Sequence, residues 1–251
     1  MAPPSTEPVD SGGYRLTIRE LRVNGSRSEC VAIHQQALDL GERVTIGQQS
    51  SVQVGAEPLD RGVSRLALAV SVTPLGWDLE LENRNGHTIH RWAALPEWSV
   101  QGVRRVIRWP RVGVLIAGVD STLEHWVLLE SDLYEIERPA DSGRDRAERM
   151  SGDTVTAPIP RDVTPMQRAA VQAIFAEHLA WPPAANPVAR SLDSARHRLG
   201  VGSESAVKAR LQPVRDRAYG LGLARQVGLT DPTYVYHLAE LGYFVPPTRL
   251  G

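Results

Sequence analysis

The chain has 251 residues, 42% hydrophobic and 23% charged, with a formal net charge of -1, a balance that suits one large or two small packed domains and excludes a disordered polymer. A single cysteine, Cys30, excludes an internal disulfide framework, and no Cys/His cluster with metal-ligand spacing accompanies it. No stretch carries 18 consecutive apolar residues, and the N-terminus lacks a basic start followed by an apolar run, so the expectation is a cytoplasmic protein with no membrane partner, no metal and no cofactor.

Residues 1–13, rich in Pro, Ser and Gly, read as a disordered arm. From Tyr14 to about Arg138, short Val-, Ile-, Leu- and Trp-rich runs alternate with turn signals at Asn24-Gly25, Leu40-Gly41, Gly55, Pro74-Leu75-Gly76, Asn85-Gly86 and Arg111-Val112-Gly113. Strands at that spacing predict an all-β sandwich over 14–138. Tyr14–Arg19 and Trp77–Glu82 alternate apolar and polar residues, as a strand with one buried face requires. Val112–Ala117 and His125–Glu130 are nearly continuous apolar runs, expected to pair near the middle of a sheet.

Residues 139–162 hold little that a core can use and read as a linker. Thr164-Pro165 is a helix start, threonine as N-cap and proline at the first helical position, with Met166, Ala170, Ile174 and Phe175 on one face and Trp181-Pro182-Pro183 as the stop. Leu192, Ala195 and Leu199 mark a second helix, Gly200-Val201-Gly202 a break, and Ser203 the start of a third with Val207, Leu211, Val214 and Ala218 as its inner stripe. Pro213 is expected to kink or end that helix after about two turns. An amphipathic segment from Tyr234 to Phe244 closes a helical domain over 163–247. The fold class is therefore α+β in two segregated domains, an N-terminal β-sandwich and a C-terminal all-α helix-turn-helix bundle.

Ile46-Gly47-Gln48, Val63-Ser64-Arg65-Leu66-Ala67 and Asn83-Arg84-Asn85-Gly86 stand at junctions between strand-like runs, where a sandwich presents loops to a ligand. Their spacing resembles the forkhead-associated (FHA) domain, whose signature is Gly-Arg, then Ser-x-x-His, then Asn-Gly, and whose activity is to grip a phosphothreonine peptide. The resemblance covers about half the chain and implies a site at Gln48, Ser64, Arg65, Arg84 and Asn85. Gln48 stands where the family has its phosphate-binding arginine and Ala67 where it has a bracing histidine. Arg61, Arg65 and Arg84 supply positive charge to the same loops. Thr6 and Thr156, followed three residues later by Val9 and Ile159, resemble phosphothreonine targets of this family, within the same or a neighbouring chain.

The C-terminal helices resemble the helix-turn-helix segments appended to FHA domains in actinobacterial regulators. That resemblance implies a duplex-DNA partner, with Ser203, Ser205 and Lys208 toward the major groove and Arg196, Arg198, Arg210 and Arg215 on flanking phosphates. Residues 161–251 hold 11 Lys+Arg against 7 Asp+Glu, leaving 17 against 22 for the remainder, so the tail is the basic end. Lys208 is the sole lysine. No nucleophile elbow, Walker lysine or kinase signature occurs, and His87 and His90, i and i+3 on a strand, point to opposite faces. A non-enzymatic regulator is thus the expectation, with an adaptor or assembly component as the alternative. Trp92 and Trp98, in a loop-like segment, are candidates to dock a partner.

Overall fold

The computed structural model describes residues 13–24, 27–134, 136 and 162–247, which fall into two compact units, one holding the strands and the other the helices. The strands are β1 Tyr14–Asn24, β2 Arg27–Leu38, β3 Arg43–Gly47, β4 Val52–Gln53, β5 Leu68–Thr73, β6 Gly76–Leu81, β7 His87–Arg91, β8 Glu97–Ser99, β9 Val103–Ile107, β10 Arg111–Ile116 and β11 Leu123–Ser131. They form one sheet of order β2-β1-β11-β10-β7-β8 and another of order β4-β3-β5-β6-β9. Each sheet turns one face to a common core. Leu16, Ile18, Val112, Val114, Val127 and Leu129 come from the first, and Val44, Ile46, Val70, Val72, Trp77 and Leu79 from the second. The sequence period of two is the cause, because alternate side chains of a strand share a face. This is a β-sandwich.

The two apolar runs do pair: Val112 lies opposite Leu129 and Ile116 opposite His125, and β11 and β10 occupy the centre of the six-stranded sheet. Arg111-Val112-Gly113 is no turn but the start of β10, with Gly113 between His90 and Leu128. Continuous apolar pairing on both sides outweighed the local glycine signal. Alternation also fails at Asp78, which is buried although polar, because Arg104 of β9 reaches it; that side-chain hydrogen bond holds its carboxyl below the ordinary range. Asn85-Gly86 does stand in a turn, closed by Gly86 N donating to Asn83 O at 3.0 Å. It joins β6 of one sheet to β7 of the other, with Gly86 at φ 83°.

In the helical unit, α1 spans Pro165–Phe175, α2 Leu192–Leu199, α3 Glu204–Gly220 and α4 Thr233–Glu240. Thr164 caps α1 in a full capping box: its Oγ1 accepts from Gln167 N at 3.3 Å while Gln167 Oε1 accepts from Thr164 N at 2.9 Å. The helix ends at Phe175 with Ala176 as its C-cap, five residues before the Trp-Pro-Pro segment expected to stop it, and Met166 is exposed. Gly200, left-handed at φ 62°, closes α2, and Ser203 Oγ caps α3 by accepting from Ala206 N at 3.3 Å. Val207, Leu211, Val214 and Ala218 form the buried stripe of α3. That helix runs through Pro213 for 17 residues instead of ending there. Packing of Val214 and Ala218 on the far side carries it past the missing N–H.

Candidate functional site: a stitched loop cluster on the sandwich

Three loops distant in sequence are joined by hydrogen bonds between their own backbones and side chains. Gln48 N donates to Ser64 O at 3.1 Å, Gln49 N to Arg65 O at 3.0 Å, and Ser50 Oγ to Arg65 O at 2.8 Å. Arg84 N donates to Ser64 Oγ at 3.0 Å, and Asn85 Nδ2 to Gly62 O at 3.1 Å. Since Ser64 Oγ accepts from the backbone, its own proton is left to donate to a ligand oxygen. Gly47 makes the close approach possible: at φ 154°, a Cβ there would stand 2.5 Å from Arg65 O and 2.8 Å from both Ala67 N and Ser64 O.

The junction has a keystone that the motif reading passed over. Asn83, with no exposed surface, accepts from Ser64 N at 2.8 Å and donates from Nδ2 to Gly86 O at 3.1 Å and to Ala117 O at 2.7 Å. One amide thus ties the Ser64 loop, the Arg84 turn and the end of β10.

The predicted site residues divide into two groups. Arg61, Arg65, Arg84 and Asn85 are exposed and Ser64 half-buried; among the described residues no acid pairs with the three guanidiniums. Gln48 is placed differently. Its amide donates to Gly55 O at 3.1 Å and to Asp60 O at 2.7 Å, so both side-chain hydrogens serve the scaffold and neither faces a ligand. Ala67, where the family signature has a histidine, is met by a histidine of β7: His87 Nε2 donates to Ala67 O at 2.9 Å.

Beneath these loops lies a buried charged cluster. His125 has no exposed surface, and its Nδ1 stands 2.8 Å from Glu20 Oε1 and its Nε2 3.1 Å from Asp60 Oδ2. Asp60 also accepts from Gly62 N at 2.8 Å, Val119 N at 3.0 Å and Asp120 N at 3.4 Å, and Glu20 accepts from Gly55 N at 2.7 Å. Burial pushes the Asp60 carboxyl up, but the backbone donors and His125 outweigh it and leave it below its ordinary value. Burial likewise pushes His125 down, and its two carboxylate partners outweigh that and raise it.

His87 and His90 are buried, and burial lowers each to about 4, opposed at His87 by the Ala67 carbonyl. His90 packs on Trp126 with ring centroids 4.9 Å apart. Between pH 6.5 and 4 the unfolded imidazoles therefore take up protons that the folded ones refuse, and stability falls on acidification by about 1.4 kcal/mol per pH unit for each. His125 runs the other way. Its folded value is raised, so its contribution is whole below about 6.5 and is lost as pH rises through that folded value. The sandwich is expected to melt highest near pH 6.5 and lower at 4.5 and 8.5; thermal unfolding at the three values checks this, and a melting point unchanged from 6.5 to 4.5 contradicts it.

Of the two candidate docking tryptophans, Trp92 is buried and Trp98, on edge strand β8, is 59% exposed. Trp98 lies over Gly86, where a Cβ would come within 2.4 Å of its ring, so an exposed aromatic flanks the Arg84-Asn85 turn.

The predicted nucleic-acid residues are largely engaged with their own unit. Arg196 pairs with Asp193 at 2.9 Å and Lys208 with Glu204 at 3.8 Å, and Ser203 Oγ caps α3. Arg215 is half-buried, donating to Val227 O at 3.1 Å and lying over Tyr219, which turns it inward where flanking-phosphate contact was expected. Arg198 and Ser205 are exposed and Arg210 half-buried. Thr6 and Thr156 lie outside the described residues. Among the described residues no cluster of His, Cys, Asp and Glu could hold a metal ion, and no helix is long and apolar enough to cross a membrane.

No family model and no curated protein matches the chain. Among solved structures, it is similar to the FHA-1 domain of Rv1747 from Mycobacterium tuberculosis, at 17% identity and a TM-score of 0.30, covering 48% of this chain and 98% of that one. The IAD domain of interferon regulatory factor 9 matches at 13% identity and a TM-score of 0.34, covering 57% of this chain and 95% of that one. The FHA domain of FhaA, in a structure complexed with the intracellular domain of Rv3910, matches at 18% identity and a TM-score of 0.25, covering 46% of this chain and 99% of that one. All three are partial, loose superpositions.

Proposed function

We propose that the sandwich is a non-enzymatic protein-binding module of FHA type whose loop cluster captures a phosphothreonine segment of a partner protein. Ser64 donates its hydroxyl proton to the phosphate, Arg65 and Arg84 supply charge-assisted hydrogen bonds, and Arg61 and Asn85 flank them. Gln48 acts one step removed, holding the Gly55–Asp60 backbone. One observation carries the reading: Ser64, Arg65 and Arg84 are brought together by direct hydrogen bonds between loops, with guanidiniums that no described acid neutralises. The test is capture of the full chain on matched arrays of threonine and phosphothreonine peptides. The phosphorylated member alone is expected to be retained, and Ser64→Ala, Arg65→Ala and Arg84→Ala each to weaken retention by about tenfold or more, the worth of one charge-assisted bond. Equal retention of paired peptides replaces this reading with an adaptor that recognises an unmodified surface.

A second reading concerns the helical unit, which we assign to duplex DNA within a cytoplasmic transcriptional regulator. It rests on α2, the left-handed Gly200 and the unbroken 17-residue α3, which together follow the helix-turn-helix outline. Arg198 and Ser205 are exposed and Arg210 half-buried beside them. Retention of a random duplex that declines steeply with salt and is lost in Arg198→Glu/Arg210→Glu supports it; no retention at low salt rejects it.

A further inference from the structure

We propose that His125 is the positioning residue of the loop cluster: clamped as an imidazolium between Glu20 and Asp60, it holds the 55–63 and 117–122 loops in the conformation that takes a phosphorylated peptide. This rests on the peptide-capture reading above. Donors and acceptors around the ring require the imidazolium. Glu20 Oε1 already accepts from Gly55 N, and Asp60 accepts from three backbone N–H groups, so both carboxyls are acceptors and each ring nitrogen must bring the proton.

β1 contributes Glu20, directly opposite His125 in register; β10 contributes the apolar Ile116; the 55–63 loop contributes Asp60; and the 117–122 loop contributes Asp120 through its N–H to Asp60. Loss of the ring's second proton leaves one carboxylate without its donor and a buried double negative charge. The strain falls on what those carboxylates hold: Gly55 and Gly62 on one loop, Val119 and Asp120 on the other. Displacing Asp60 also removes the carbonyl that anchors Gln48, and displacing Gly62 removes the acceptor of Asn85. Arg61 travels with the same loop. Tight packing transmits the shift, since a Cβ on Gly62 would lie 2.3 Å from Val119 N.

Two measurements on the full chain test this. In the first, without ligand, amide-exchange protection factors at Gly55, Gly62, Val119 and Asp120 are compared between pH 6.5 and 9. Protection is expected to drop at pH 9, to drop at a lower pH in Glu20→Gln, and to be low at both values in His125→Gln while Val114 and Val127 stay protected. In the second, capture of a degenerate phosphothreonine peptide pool is followed from pH 7 to 9.5, where the phosphate is dianionic throughout. Wild-type capture is expected to weaken by about tenfold, Glu20→Gln to weaken from a lower pH, and His125→Gln to be weak and flat. Capture that is strong and independent of pH, or loop protection indifferent to His125, overturns the inference with the functional reading intact. Absence of capture at every pH overturns the functional reading instead, and amide protection still decides whether His125 holds the loops.

Discussion

Replacing Asn83 by alanine is expected to cost about 3–5 kcal/mol of sandwich stability and to abolish peptide capture. The side chain is fully buried and satisfies three backbone groups on three segments: Ser64 N, Gly86 O and Ala117 O. Truncation leaves Ser64 N and Ala117 O without this partner and Gly86 O with Ala117 N alone, and each unsatisfied group costs roughly 1–3 kcal/mol. Chemical denaturation of the sandwich transition measures the loss. Asn83→Asp discriminates further: it keeps the acceptor for Ser64 N but turns a donor toward two carbonyls into a buried negative charge, so it is expected to be at least as damaging as alanine. A variant within 1 kcal/mol of wild type, on this about fivefold scale, would show that the three loops are held by something other than this amide.

The second large effect is expected at Gly47. An alanine there meets only main chain, Arg65 O, Ala67 N and Ser64 O, none of which can rotate aside, and it must also adopt a φ of 154°. Backbone strain and overpacking together predict a loss of about 2–4 kcal/mol. The Ser64 loop must retreat from β3 to make room, which breaks the Gln48 N to Ser64 O bond. Gly102→Ala is the control. That glycine also has a positive φ, 80°, but open space around its Cβ position, so it carries the dihedral strain without the collision and should cost less and spare peptide binding. Equal costs for the two would place the whole effect in the dihedral and remove the close-approach argument.

The corners that carry the candidate site were legible in the sequence, and the reason lies in what short motifs encode. Ser64, Arg65, Arg84 and Asn85 follow glycines and asparagines that the backbone needs at those corners, so their spacing marks where strands end. The charged cluster beneath them carried a fainter signal. Glu20 shares the period-two face of Leu16 and Ile18, and His125 that of Val127 and Leu129, which puts two ionisable groups on core-facing positions. Nothing local pairs them, because 105 residues separate them in the chain and Asp60 stands 65 from His125. Gln48 could not be read correctly from its neighbours either. Whether its amide serves a ligand or the scaffold depends on carbonyls 7 and 12 residues away.

Sequence periodicity determined the core-facing positions of β1 and β11, the apolar runs that pair as β10 and β11, the cap of α1 and the inner stripe of α3, because those depend on neighbours two, three or four positions away. Tertiary structure decided that β6 and β7 belong to different sheets, that α3 continues past Pro213, and that His125 meets Glu20 and Asp60. Those outcomes hang on the burial of groups far apart in the chain. A donor's choice of acceptor is settled only when folding removes the water that would otherwise satisfy both.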